Sequence, residues 1–316
     1  MKRVVASAPA KVILYGEHFV VRGKPSIAAA IDIRIRVVVR EAQPGERPRV
    51  RSSFYGESPL DNPLEWARPF KAIIDYMRGK DYSVPPVIVE VSGDVKPGNG
   101  LGSSAGSLAS FSLALSRLIG APTRKENIIE AAIKGEEVAH GRPSGIDPTI
   151  AVYGGILYYR RGHEPRPISG RLGGDLIVAG SGVERSTGEA VRRVLELRDR
   201  YPSVLDRVYD AAEALVETAV GALERGDVDT LGDLMNINHG LLSSVGVSIR
   251  EIEEIVYEAR RLGAVGSKVT GAGLGGSVIA LAYEGEGDRI ARGLDGLAEF
   301  SRTVSIDWDG CRLEEE

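Results

Sequence analysis

Two glycine-rich stretches bracket this chain and limit what it can fold into. The first, Pro97-Gly98-Asn99-Gly100-Leu101-Gly102-Ser103-Ser104-Ala105, runs into a predicted helix. The second, Lys268-Val269-Thr270-Gly271-Ala272-Gly273-Leu274-Gly275-Gly276, runs into a predicted strand. A glycine loop that delivers hydroxyl residues to a helix start offers bare N–H groups, the positive end of a helix dipole and room for a bulky anion. That describes a phosphate site built without a lysine. A Walker A loop would carry Lys before its Ser or Thr, and neither stretch does. Gly100 to Ala105 fits the dinucleotide pattern Gly-x-Gly-x-x-Ala, but the acidic residue about 20 positions on, Glu126, opens a helical pattern instead of closing a second strand. Gly271 to Val278 fits the protein-kinase glycine loop, yet nothing downstream supplies that family's other elements. Two ordinary tight turns are the plain alternative. Serines at a helix start in one stretch, and Lys268 and Thr270 in the other, count against it.

Composition narrows the partners. The 316 residues allow one large domain or two medium ones, and 43% hydrophobic content supports a core of normal size. A net charge of −4 gives no global pull toward nucleic acid or anionic lipid, so an anionic ligand must be held by local features. The single cysteine, Cys311, excludes an internal disulfide and a multi-cysteine metal site. No apolar run reaches the roughly 20 residues that span a bilayer, and a cytoplasmic location is expected.

Ile31, Ile33, Ile35, Val37 and Val39 alternate with Asp32, Arg34 and Arg36, which predicts a half-buried strand. Val87 to Val91 predicts another, as does Ile150 to Tyr159, broken by Gly154-Gly155. Leu108, Phe111, Leu115 and Leu118 give the first glycine loop its helix, and Asn127 to Ala139 a second. The aperiodic, Gly/Pro/Arg-rich segment Arg160–Gly174 is the expected boundary, dividing the chain into residues 1–165 and 166–316. Beyond it come a strand at Asp175–Ala179, helices near Thr187–Arg198, Val204–Arg225, Val228–Ser243 and Ile249–Leu262, and strands at Ser277–Tyr283 and Arg302–Asp307. Strands and helices without strict alternation predict an α+β fold.

Lys11, in Ala8-Pro9-Ala10-Lys11-Val12, follows a short apolar strand and precedes Gly16-Glu17-His18. Its apolar neighbours predict partial burial, which focuses its charge. A further cluster, Glu136, His140, Ser144 and Asp147, ends a helix and enters a Gly-bounded turn. A carboxylate beside a serine hydroxyl suits Mg²⁺, which takes oxygen ligands and shares them with phosphates. A phosphate cradle, a Mg²⁺ carboxylate, a cation near the reacting oxygen and a carboxylate for the acceptor proton are the parts of phosphoryl transfer.

With those residues assembled, the chain resembles the superfamily of galactokinase, homoserine kinase, mevalonate kinase and phosphomevalonate kinase, called GHMP. The three motifs fall in the family's order over nearly the whole length. Pro9 to His18 and His140 to Asp147 are most similar to its mevalonate kinase branch. The resemblance implies a two-domain fold, with an N-terminal domain like ribosomal protein S5 and a ferredoxin-like C-terminal domain. It implies ATP-dependent phosphorylation of the 5-hydroxyl of (R)-mevalonate in isoprenoid biosynthesis, with Mg²⁺. By the same resemblance Asp147 is the catalytic carboxylate and Lys11 the lysine that contacts it. Gly98, Asn99, Gly100, Leu101, Gly102, Ser103, Ser104 and Ala105 form the ATP phosphate loop, and Ser104 and Glu136 hold the metal. Glu17 and His18 line the acceptor pocket, and Thr270, Gly271, Ala272 and Gly273 close the site. A homodimer is the expected assembly, although no motif specifies one. The segment Arg40–Tyr82 is expected near the adenine, with no residue singled out.

Other readings separate on particular residues. A galactokinase would continue Gly-Glu-His with Thr-Asp-Tyr, whereas Phe19-Val20-Val21 follows here. A kinase of phosphomevalonate or another small alcohol is the alternative within the superfamily. A non-catalytic metabolite sensor on the same fold would be free to lose Lys11 or Asp147, and both are present.

Overall fold

The structure, a computed structural model, describes residues 2–94, 98–140, 145–184 and 187–314. Its first sheet contains β1 (Arg3–Tyr15), β2 (Ser26–Glu41), β3 (Arg49–Ser52), β4 (Gly56–Pro59), β5 (Val87–Gly93), β6 (Ile156–Tyr159) and β7 (Arg166–Pro167). The second contains β8 (Asp175–Gly180), β9 (Gly266–Thr270), β10 (Ser277–Ala282) and β11 (Phe300–Val304), and the short β12 (Arg312–Leu313) returns to the first. The helices are α1 (Arg68–Gly79), α2 (Ser103–Ile119), α3 (Lys125–His140), α4 (Ile146–Tyr153), α5 (Thr187–Arg200), α6 (Pro202–Arg225), α7 (Val228–Ser244), α8 (Arg250–Arg261) and α9 (Gly287–Gly293). The fold is α+β.

Long strand β2 is the spine of the first sheet. It pairs antiparallel with β1 on one side, and on the other with β6 through Ser26–Ala29 and with β5 through Ile35–Glu41. Its alternating Ile and Val residues are buried as their period predicts. Ile31, Ile33 and Ile35 join a core shared with β8, β10, α6 and α7, so one continuous apolar layer glues the two sheets together. Val37 and Val39 join a second core under α1, α2 and α3. Each such side chain withdrawn from water contributes about 1.5–3 kcal/mol. The second sheet runs β11-β8-β10-β9, antiparallel throughout, and α8 presents Ile252, Ile255, Val256 and Ala259 to it at helical spacing.

Two expectations need correction. Residues 150–153, expected to open a strand, form the end of helix α4; their β-branched apolar run suits either state. Pro148 sits in that helix's first turn, where a missing N–H costs nothing, and Gly154-Gly155 ends it. Asp147 therefore stands in a helical first turn, near the positive dipole end, instead of in a Gly-bounded turn. Beyond residue 165, β7 pairs with β6 and β12 with β1, so both strands join the first sheet.

His239 of α7 is buried beneath the second sheet. Its Nδ1 accepts the Val269 N–H at 3.3 Å, so Nε2 carries the proton and donates to Glu253 at 3.2 Å. Protonation would set a second N–H against Val269, and burial adds to the cost. Burial holds the imidazole pKa below its ordinary 6.5, although Glu253 pulls it up. Stability from this site is complete above pH 6.5 and drains away as the pH falls below it. His239→Asn is expected to flatten that limb of the stability curve, as measured by urea unfolding between about pH 5 and 7.

Candidate active site

β1 carries Lys11 into the centre of the molecule. Proline at position 9 has no N–H to give to the ladder, and the β1–β2 register shifts between Pro9 and Ala10. The Lys11 N–H is given to the Leu101 carbonyl at 2.8 Å, which moors the glycine loop to the strand. Lys11, only 4% exposed, ends with Nζ 3.0 Å from Asp147 Oδ1. Two segments 136 residues apart thus present an ammonium and a carboxylate to the same space.

The glycine loop lies along the lysine stem. Gly102, at φ +71°, is the N-cap of α2, and a Cβ there would lie 2.7 Å from Lys11 Cγ. Any side chain would force the lysine aside as well as straining the backbone. Ser103 and Ser104 open the 17-residue α2, so its free N–H groups and dipole face the cavity. On the far side the Asn99 carbonyl accepts from Ser277 Oγ of β10 at 2.7 Å, tying the loop to the second sheet.

Glu136, in the last turns of α3, is 4% exposed. Its carboxyl is pushed up to about 8, first by burial and then by the negative charge of Asp147, while Lys11 pulls the other way. A carboxyl buried beside a second carboxylate and open to a cavity is the donor set that a hard divalent cation relieves. Ser144 lies outside the described residues, as does the side chain of His140.

These groups surround a cavity of about 660 Å³. Lys11, Asp147, Glu136 and His18 line it, as do Gly98, Gly100, Gly102, Ser103, Ser104 and Ala105 of the loop and Gly271 and Ala272 of the third motif. The other residues expected there face elsewhere. Asn99 and Leu101 serve the loop through their backbones, and the Leu101 side chain is core. Gly273 sits in a turn whose next residue, Leu274, donates its N–H to the Val247 carbonyl at 2.7 Å. Thr270 Oγ1 bridges the N–H and C=O of Ile13 at 2.9 and 3.1 Å.

Glu17 is the largest departure. It is completely buried, ion-paired with the equally buried Lys268 and held by Asn238 Nδ2 at 3.0 Å. Lys268 also donates to the carbonyls of Ile13 and Val269 at 3.2 and 2.7 Å. Glu17 thus stays in the core and does not line the cavity. Its neighbour His18, at φ +60°, turns into the cavity and donates Nε2–H to the Ala272 carbonyl at 2.9 Å.

One end of the cavity is lined mainly from the segment Arg40–Tyr82, in which the sequence singled out no residue. Tyr55 and Trp66 stack there with centroids 5.5 Å apart and planes 24° from parallel, beside Phe54, Glu65 and Ser92. Phe54, Tyr55, Trp66, Phe70, Tyr76 and Tyr82, gathered within 29 positions of a chain that is only 6% aromatic, were the available signal.

Known proteins carry the same layout. The description "GHMP kinases N terminal domain" matches residues 68–155, and "GHMP kinases C terminal" matches residues 219–297. A mevalonate kinase of Aeropyrum pernix is 44% identical, covering 98% of each chain. The chain belongs to the GHMP kinase family. Within that family, a mevalonate kinase of Methanothermobacter thermautotrophicus is 40% identical over 87% of this chain and 89% of its own. The crystal structure of L. major mevalonate kinase in complex with R-mevalonate superimposes with a TM-score of 0.83 at 31% identity, covering 98% of this chain and 97% of that one. As a GHMP kinase the protein is a phosphotransferase, and no helix among the described residues is long and apolar enough to cross a membrane.

Proposed function

We propose that the protein transfers the γ-phosphoryl group of ATP to the 5-hydroxyl of (R)-mevalonate, giving 5-phosphomevalonate and ADP. The Lys11–Asp147 contact at 3.0 Å, beside the N-terminus of α2, carries this reading. Relatives named mevalonate kinase, and one solved with R-mevalonate bound, support it.

In this reading the triphosphate lies on the N–H groups of Gly98 to Ala105, with the base toward Tyr55 and Trp66. His18, Gly271 and Ala272 border the acceptor. Asp147 accepts the hydroxyl proton as the oxygen bonds to the γ-phosphorus and the bond to the β-phosphate oxygen breaks. Lys11 stabilises the alkoxide character that develops on that oxygen. Ser104 and Glu136 are the groups fitted to Mg²⁺, which when bound neutralises charge on the β- and γ-phosphates. The proposed division gives the phosphate-loop unit residues 1–165 and the unit closing the acceptor side residues 166–316, with β7 and β12 of the second lending strands to the first sheet.

A panel of mevalonate, phosphomevalonate, galactose and homoserine with ATP tests the assignment. Mevalonate should give the highest kcat/KM, and a higher value for any other alcohol overturns it. Glu136→Gln is expected to raise the Mg²⁺ concentration for half-maximal rate by about tenfold while altering the mevalonate KM less. The opposite pattern, read from initial rates over a Mg²⁺ series, would move Glu136 into the acceptor pocket.

A further inference from the structure

We propose that Asp307 is a positioning residue for the phosphoryl transfer: through residues 305–314 it holds the carboxyl end of α4 and thereby sets where Asp147 stands in the cavity. This rests on the role given to Asp147 above.

After β11 the backbone leaves the second sheet and crosses to the first. The Ser305 carbonyl accepts from the Asp32 N–H, and the Asp307 N–H donates to the Ala30 carbonyl, each at 3.0 Å. Asp307 then braces a turn, although it is a carboxylate only 9% exposed. Its Oδ1 accepts the N–H groups of Asp309 and Gly310 at 3.1 and 3.0 Å, and its Oδ2 is ion-paired with Arg34 of β2. Arg34 also donates to the carbonyls of Gly310 and Ser7 at 2.7 and 3.1 Å. Charge-assisted bonds of this kind are stronger than neutral ones and fix geometry as well as energy.

The braced turn presses on the end of α4. The Cys311 N–H donates to the Val152 carbonyl at 3.3 Å, and the Gly155 N–H to the Asp307 carbonyl at 2.7 Å. Gly154 and Gly310, both at positive φ, meet backbone to backbone. A Cβ on Gly310 would lie 2.3 Å from the Val152 oxygen, and one on Gly154 2.5 Å from the Gly310 nitrogen. α4 has only eight residues, so it is a rod about 12 Å long with Asp147 in its other terminal turn. A displacement at one end is passed along this short helix to the other, against its packing on α2, α3 and β1. The same segment is anchored by β11 in the sheet that carries Gly271 and Ala272. It therefore gauges the distance between Asp147 and the opposite wall of the cavity. Misplacing a reacting group by about 1 Å can cost 10²-fold in rate.

Two variants of the full chain test this. Asp307→Asn keeps an oxygen for the two N–H groups and removes the charge facing Arg34. Gly310→Ala leaves every charge and drives a methyl into the end of α4. Sites are counted by titration with a fluorescent ATP analogue, and kcat per site is measured beside the mevalonate KM. The expected result is a fall in kcat per site of about tenfold to a hundredfold in both, with KM and ATP affinity within about twofold of the parent. Should either fail to fold, Arg34→Lys, which keeps the charge but loses the fork to Gly310 and Ser7, decides on the same readout. A lower melting temperature with kcat per site unchanged makes the segment purely structural and overturns the proposal. Equal losses of ATP affinity and kcat place the damage across the whole cavity and overturn it too. Undiminished turnover in Asp147→Asn would instead sink the role of Asp147, independently of these variants.

Discussion

Asp147→Asn is expected to lower kcat by about 10²- to 10⁴-fold, the range that a positioned proton acceptor supplies, while ATP affinity stays near the parent value. The substitution is nearly isosteric. It keeps the first turn of α4 and removes only the negative charge 3.0 Å from Lys11 Nζ. Lys11→Ala should cost about 10²-fold, because its ammonium acts mainly on charge that appears in the transition state. The two effects should not add: the groups face one oxygen, and once one is gone the other has less to act on. Single-turnover measurements with saturating ATP separate chemistry from binding. Unchanged turnover in Asp147→Asn would take that carboxylate out of the reaction.

Lys268→Met should be the most damaging single substitution for stability. Lys268 and Glu17 are both wholly buried, and each is shifted against its charged form by burial: the carboxyl upward, the ammonium downward, with the opposite charge of the partner resisting. Removing one partner leaves the other's desolvation uncompensated, a loss of about 3–5 kcal/mol. The double variant Glu17→Gln, Lys268→Met removes both charges and should recover a large part of that loss. Urea unfolding of the three proteins measures the cycle. A single-variant loss below about 1 kcal/mol would mean that the pair is open to water. The same loss should loosen the turn that aims His18 at Ala272, so the mevalonate KM should rise in whatever fraction of Lys268→Met remains folded.

The parts of this molecule that could be read from the chain are those written in short stretches. The period of Leu108, Phe111, Leu115 and Leu118 announces α2, and the alternation after Ile31 announces the spine strand. The glycine loops, Lys11, Glu136 and Asp147 stand out because their chemistry is unusual in its local setting. Side-chain direction is a different matter. Glu17 and His18 are neighbours in one motif, yet one enters the core and the other the cavity, because a positive φ at His18 swings successive residues apart. The burial of Lys268 leaves no local sign: an Asn and a Glu more than 25 residues away decide its surroundings. The misread run Ile150–Val152 shows the same limit, since the helix is set by Gly145, Pro148 and what packs against its end. The brace between Arg34 and Asp307 joins residues 273 apart, and no local pattern encodes it.

The seat of β12 beside β1 has a consequence for biosynthesis. Ala6 and Ser7 find their outer neighbours, Leu313 and Arg312, only after the ribosome has added about 300 further residues. Until then the strand bearing Lys11 has an unprotected margin at Ala6 and Ser7, and the longest-range strand pairing among the described residues, entropically the slowest sort to form, is still outstanding. The amino-terminal half is thus made first and finished last.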